Sequence, residues 1–308
     1  MDVICVDGRY RLGEKLGSGS YATVYRARDI ITEQVIAVKL EPITNSAICP
    51  LEHEYSVLNQ LKGTGLPRPL WFGREGSHQV MVLENLGASL DKLLQSSSTG
   101  AFELSHVAEL GLQMISRLEH IHSHNFIHRD VKPQNIVMGT GDSKDIVFLI
   151  DFSIAKQYHH PTSRIHIPMK ESGSLVGTPA FASLNSHFRR ELSCQDDLEA
   201  LAYSLMFLHR GSLPWLEEGA QCSSIRKFKE SLGSVHYDIP EELLSFLMYV
   251  RSLSFMQKPD YDLLWGILLP ARSSLALVRK EVQAISVAQP NGPCGASDDG
   301  ATCNTPVK

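Results

Sequence analysis

The sequence predicts an α+β fold in two unequal lobes: a small antiparallel β-rich N-terminal lobe with one helix, then a larger, mainly helical C-terminal lobe. Three observations predict it. Strand-forming runs separated by turn residues fill the chain as far as Glu84, broken by one stretch with helical spacing. Beyond Glu84 the apolar residues recur at helical spacing over long segments. Strands followed by helices, rather than strands alternating with helices, point to segregated layers with a seam near Glu84–Gly87.

The elements follow in order. Val24–Asp29 and Gln34–Leu40 are strands joined by a polar turn at Thr32-Glu33. Leu51–Leu61 carries Leu51, Tyr55, Leu58 and Leu61 at helical spacing, a single short helix. Arg68–Gly73 and Gln79–Glu84 form a hairpin across Glu75-Gly76-Ser77. Phe102–His124 is apolar almost all round, which predicts a buried helix. Ile146–Ile150 is a short buried strand, and Asp197–His209 and Pro240–Leu253 are helices. Tyr261–Leu269 is a last helix, stopped by Pro270. From Ala288, Pro, Gly, Asn, Ser and Asp dominate, so Ala288–Lys308 reads as a disordered tail. The expected divisions are residues 1–9 as an extension, 10–84 and 85–287 as the two lobes, and 288–308 as the tail.

Composition narrows the class. Of the 308 residues, 43% are hydrophobic and 20% charged, as in an ordinary globular protein large enough for a real core. A net charge of −5 argues against a protein defined by a global basic field, so no nucleic-acid partner is expected. No apolar run is long enough for a bilayer, and Met1–Asp7 is too acidic for a secretory signal, so no membrane partner is expected. The scattered cysteines, with no C-x-x-C pair, suit reduced thiols in a cytoplasmic setting, extending to the nucleus. The chain is expected to act as a monomer.

The chemistry lies in a few words. His128-Arg129-Asp130-Val131-Lys132-Pro133-Gln134-Asn135 matches H-R-D-x-x-x-x-N, in which the Asp accepts a substrate hydroxyl proton and the Asn holds magnesium. Upstream, Leu16-Gly17-Ser18-Gly19-Ser20-Tyr21-Ala22-Thr23-Val24 resembles G-x-G-x-x-G-x-V, with Ala22 at the third glycine. Two close glycines let backbone amides approach phosphate oxygens, and Val24 would pack on the base. By itself such a loop is as readily a tight hairpin turn. Its place between strands, and Ala37-Val38-Lys39 in the V-A-I-K position, decide for phosphate. A lysine in an apolar strand is costly to bury unpaired, and without the other motifs it would read as an edge-strand gatekeeper. Glu54 is the expected partner, with Glu52 the alternative, because helix register is open at this level. Downstream, Asp151-Phe152-Ser153 stands where D-F-G is expected, and its carboxylate at a strand end suits a hard cation. Ser153 restricts the backbone there without removing a ligand.

With these words the chain resembles the eukaryotic protein kinases, and specifically the casein kinase I family. The family-level words are Tyr10-Arg11-Leu12, Phe126–Pro133, His166-Ile167-Pro168, Asp196-Asp197-Leu198-Glu199, Gly211–Trp215 and Lys258-Pro259-Asp260-Tyr261, and the resemblance runs from Tyr10 to Leu269. Ala182-Ser183-Leu184-Asn185 stands where most protein kinases have A-P-E. The resemblance implies a two-lobed protein-kinase fold with ATP and Mg²⁺ in the cleft and transfer of the γ-phosphoryl to Ser or Thr of protein substrates. It implies Leu16, Gly17, Ser18, Gly19, Val24, Ala37 and Lys39 around the nucleotide, and Leu83 as gatekeeper. It also implies Glu84 to Leu86 as the hinge on adenine, and Asp197 as a buried anchor of the catalytic loop. Lys39, oriented by Glu54, would hold the α- and β-phosphates, and Asn135 and Asp151 the magnesium. Asp130 would orient the acceptor hydroxyl and take its proton, and Lys132 would neutralise the transferring group. Lys132 and Thr178 fit Ser/Thr rather than Tyr.

The chain departs from that pattern at Pro179-Ala180-Phe181, where the family has an Ala-Arg-Tyr stretch whose arginine binds an anion. Ala180 cannot fork onto phosphate. Arg226, Lys227 and Lys229 are expected to supply part of a basic surface, too little for a strong preference for phosphate-primed substrates. The rival is a pseudokinase acting as a binding scaffold, supported by Ser153, Ala22 and the altered Pro179–Phe181. A small-molecule kinase on the same fold is a third reading. His120, His122, His124 and His128 do not make a zinc site by spacing, since only His120 and His124 share a helix face. Ser163, Ser172 and Ser174 read as ordinary loop residues.

Overall fold

The N-terminal strand signal folds as one antiparallel sheet. The computed structural model describes residues 5–19, 21–44, 49–171, 173–217, 222–232 and 239–272. The expected tail Ala288–Lys308, Ser20, Ser172 and residues 1–4 of the expected extension lie outside them. The sheet runs in the order β1 (Cys5–Val6), β2 (Tyr10–Ser18), β3 (Thr23–Asp29), β4 (Val35–Pro42), β6 (His78–Glu84), β5 (Pro69–Glu75). Residues 5–6 thus add a strand, and Arg9 forks onto Asp29 at 2.9 and 2.6 Å.

Side-chain alternation sorts the sheet's two faces. Ile36 and Val38 of β4 pack with Val80 and Val82 of β6 in one apolar cluster. The opposite face carries Ala37 beside Leu83, and Lys39 between Val24 and Met81. Against it lies α1 (Pro50–Leu61), which starts with Pro50 and takes its N-cap from the Cys49 sulfur, which accepts from the Glu52 N–H at 3.4 Å. Its buried stripe is Leu51, Glu54, Val57, Leu58 and Leu61, so a carboxylate sits among apolar neighbours.

After Glu84 the chain is mainly helical: α2 (Leu90–Gln95), α3 (Leu104–Ser123), α4 (Leu184–His187), α5 (Cys194–Arg210), α6 (Pro214–Glu217), α7 (Cys222–Ser231), α8 (Glu241–Ser252) and α9 (residues 261–272). Between α3 and α4 run short strands β7 (Phe126–Ile127), β8 (Ile136–Met138), β9 (Val147–Leu149) and β10 (Lys156–Gln157), paired β7 with β10 and β8 with β9. α3 and α5 form the spine of this lobe. Leu110, Met114, Ile115, Leu118 and Ile121 of α3 are buried in the same cluster as Leu198, Leu201, Leu205 and Leu208 of α5. Each fully buried side chain of this size contributes about 1.5–3 kcal/mol. A capping box at Ser193 and Asp196 opens α5, and Gly211 in the left-handed region (φ 79°) closes it.

Two expectations need correction. The last helix does not stop at Pro270: it continues to residue 272. Proline forfeits one N–H and its ring stays exposed, while Leu264, Leu268 and Ala271 are buried and hold the turn in place. Nor is Lys229 part of a basic surface. Its side chain is fully buried, as described below.

Candidate active site

A cleft of about 430 Å³ opens between the sheet and the helical lobe. That is the size of a small-ligand site. Leu16, Gly17, Ser18, Gly19 and Val24 line it from the β2–β3 turn, and Ala37 and Lys39 from β4. Leu83, Glu84 and Leu86 line the segment joining the lobes, and Asn135, Ile150 and Asp151 come from the helical lobe. The turn is tight: the Gly19 N–H donates to the Ala22 carbonyl at 2.8 Å, and the Ala22 methyl, in the third-glycine position, is buried. Glu84 is held by Arg68, whose N–H donates to its carboxylate at 2.7 Å.

Inside the cleft the helix register is settled in favour of Glu54. The Lys39 ammonium reaches the Glu54 carboxylate at 2.6 Å and the Asp151 carboxylate at 3.1 Å. Glu52 is exposed on the far side of α1. Burial opposes charge on Lys39, yet the two carboxylates outweigh it and raise its pKa. Burial likewise lifts Glu54, more than Lys39 draws it down. At Asp151 burial is overcome chiefly by Lys39, with a smaller contribution from Ser153, so the carboxyl titrates below its ordinary value. Asp151 itself sits at φ 68°, and Phe152 behind it is fully buried edge-on to His128.

The catalytic-loop segment hangs from one buried carboxylate. Asp197 of α5 accepts the N–H groups of His128 and Arg129 at 2.6 and 2.7 Å, and His122 of α3 at 3.0 Å. These contacts keep Arg129 at φ 73°. Burial opposes charge on Asp197, but His122 and the amides hold its pKa down. From this base Asp130 meets three partners. Lys132 Nζ lies 2.7 Å from one of its oxygens. The Thr178 N–H and hydroxyl donate to the other at 2.9 and 2.8 Å. Asn135 Nδ2 donates to the Asp130 carbonyl at 2.9 Å. Lys132 also donates to the Thr178 hydroxyl at 2.7 Å. Gly177 makes this approach possible: at φ 85° a Cβ there would lie 2.5 Å from the Arg129 carbonyl.

With the Asn135 amide nitrogen turned to Asp130, its oxygen and the Asp151 carboxylate are hard donors on the helical-lobe side of the cleft. That donor set fits a magnesium ion accompanying phosphates. Asp130 and Lys132 do not line the cleft themselves and join it through Asn135. All the residues singled out around nucleotide and metal are thus brought to one place.

Of the other histidines, His120 bonds the Leu61 carbonyl at 2.6 Å with its ring against His124, while His122 faces the core. Lys229, expected at the surface, is buried. Its ammonium donates to the carbonyls of Pro179 at 3.0 Å and Ala182 at 2.6 Å, under the rings of Tyr203 and Trp215. A signal existed: Ile225, Lys229 and Leu232 fall on one apolar helix face. A comparison with known families finds that the model described as "Protein kinase domain" matches residues 10–254 of the chain.

Proposed function

The chain belongs to the protein kinase family, whose members transfer phosphate from ATP to proteins with Mg²⁺, and from that premise we propose a serine/threonine kinase of casein kinase I type. The observation that carries the proposal is the joining of two clusters: Lys39, Glu54 and Asp151 in the cleft, and Asp130, Lys132 and Thr178 beside it, linked by Asn135.

Lys39, fixed by Glu54, holds the α- and β-phosphates, and the glycine turn covers them. Magnesium, when bound to Asn135 and Asp151, offsets phosphate charge. Asp130 orients the acceptor hydroxyl and takes its proton, and Lys132 neutralises the group in transit. Lys132 and Thr178, bonded to each other and to Asp130, support Ser and Thr as the acceptors. Support for the casein kinase I type comes from Ala182–Asn185. Ser183 and Asn185 both donate to the buried Asp196, at 2.6 and 3.1 Å, and so build this stretch into α5. The protein acts as a monomer in the cytoplasm and nucleus, and residues 10–84 and 85–287 are its lobes.

The basic patch for a priming phosphate is thin: Ala180 is uncharged and Lys229 points inward. Preference for primed substrates is therefore weak. The test is casein and matched peptides with and without an upstream phosphoserine. Wild type should label both peptides at rates within a few-fold. Asp130→Ala should lower turnover by roughly 10²–10⁴-fold with ATP still bound. Lys39→Met should label nothing. Equal labelling by wild type and Lys39→Met would favour a scaffold. A large gain on the primed peptide would contradict the weak-priming reading.

A further inference from the structure

We infer that Lys229 is a positioning residue for the acceptor peptide: a buried cation that fixes the Pro179–Ala182 segment, and through it Thr178, against Asp130. The inference rests on the protein-phosphorylating reading above, and it concerns a residue that contacts neither nucleotide nor reacting atoms.

Three observations carry it. First, Lys229 is fully buried on α7, and its ammonium donates to the carbonyls at both ends of the Pro179–Ala182 segment. Buried lysines are rare unless paired, and here backbone oxygens and aromatic faces contribute to the compensation. The ring centroids of Tyr203 and Trp215 lie 4.4 and 5.2 Å from Nζ. Second, the Phe181 and Ala182 N–H groups donate to the Thr178 carbonyl at 2.9 and 2.8 Å, and the segment's other ties gather around the lysine. Phe181 is buried, Ala180 offers its carbonyl to the Trp215 indole N–H at 3.0 Å, and His187 Nε2 lies 3.0 Å from the Pro179 carbonyl. Tyr203, Trp215 and His187 themselves border the lysine, so the cation is the hub of the arrangement. Third, the residue before the segment, Thr178, is the one that donates twice to Asp130 and accepts from Lys132. A peptide whose hydroxyl is to reach Asp130 must pass this segment. Its shape is set from behind by α7, which Arg251 of α8 ties down by donating to the Lys229 carbonyl at 2.8 Å.

Removing the charge should loosen the peptide wall and leave the nucleotide cleft alone, since Lys229 is not part of its lining. The experiment measures peptide KM and kcat by phosphate transfer, and nucleotide affinity by calorimetry with MgATP, for wild type, Lys229→Met and Lys229→Arg. The expected result is a peptide KM raised at least tenfold in Lys229→Met, MgATP affinity within twofold, and a peptide KM restored to within threefold in Lys229→Arg. Lys229→Gln, which keeps a donor without the charge, takes the place of the methionine variant if the latter does not fold, and is read against the same criteria. An unchanged peptide KM with MgATP binding intact overturns the inference. So does a parallel loss of peptide and nucleotide affinity, which would mark a general support of the lobe. A wild type that binds MgATP but labels no peptide would instead defeat the functional reading beneath it.

Discussion

At the scale of single residues, the site is a set of charges whose protonation is set by burial and by one another. His187 makes this testable. Burial, then the positive charge of Lys229, hold its imidazole down at about 4, from an ordinary 6.5. Between those values the unfolded chain takes up a proton that the folded chain refuses. The stabilisation is full above pH 6.5 and is lost as pH falls toward 4, by on the order of 1–3 kcal/mol after solvent screening. Melting curves of wild type and His187→Gln across that range should diverge, with the variant losing less on acidification. Curves that fall in parallel would remove His187 from the account. Much at this scale was legible in advance. Lys39, Asp130, Asn135 and Asp151 are identifiable because phosphoryl transfer demands those groups at those spacings. The help that Ser153 gives Asp151 was not, since it depends on a backbone bend at φ 68° that only the folded chain displays.

At the scale of elements, the long helices and paired strands match their sequence patterns because burial of one face selects the period. α1, β3, β4, β6, α3, α5 and α8 all fall within a few residues of expectation. Short pieces such as α2, α4 and β10 escape notice, because two to six residues carry too little periodicity to read. Among the described elements, α9 is the clear reversal. Helical packing of Leu264, Leu268 and Ala271 outweighs the bond that Pro270 cannot donate to Gly266. Pro270→Ala should therefore restore that bond and stabilise the protein by roughly 1–3 kcal/mol. A thermal or urea melt checks it, and a lowered midpoint would show that the proline ring contributes more than the lost bond.

At the scale of the whole molecule, function depends on two lobes presenting their charges to one cleft. Lys39 and Glu54 belong to the sheet lobe, Asp151 and Asn135 to the helical lobe, and the 3.1 Å pair between Lys39 and Asp151 is a direct bond across the seam. A ligand that engages both sides stabilises the fold by mass action, by about 2.7 kcal/mol at a hundred times its Kd. MgATP should accordingly raise the melting temperature of wild type more than ATP with chelator does. In Asp151→Asn the magnesium-dependent part should vanish while a smaller nucleotide-dependent part remains. An undiminished magnesium effect in the variant would place the ion elsewhere.

The linear chain by itself determined the order of the lobes, the identity of the chemical groups and their likeness to a known family. These reside in local pattern: side-chain period, turn residues and fixed spacings along a few words. Tertiary structure decided what local pattern leaves degenerate. It chose Glu54 over Glu52, because one helix face must meet Lys39. It turned Lys229 inward onto backbone carbonyls. It set Thr178 against Asp130 across forty-eight positions of sequence. Such choices follow from which surfaces meet at long range, and contact between distant segments is a property of the packed molecule rather than of any stretch of the chain.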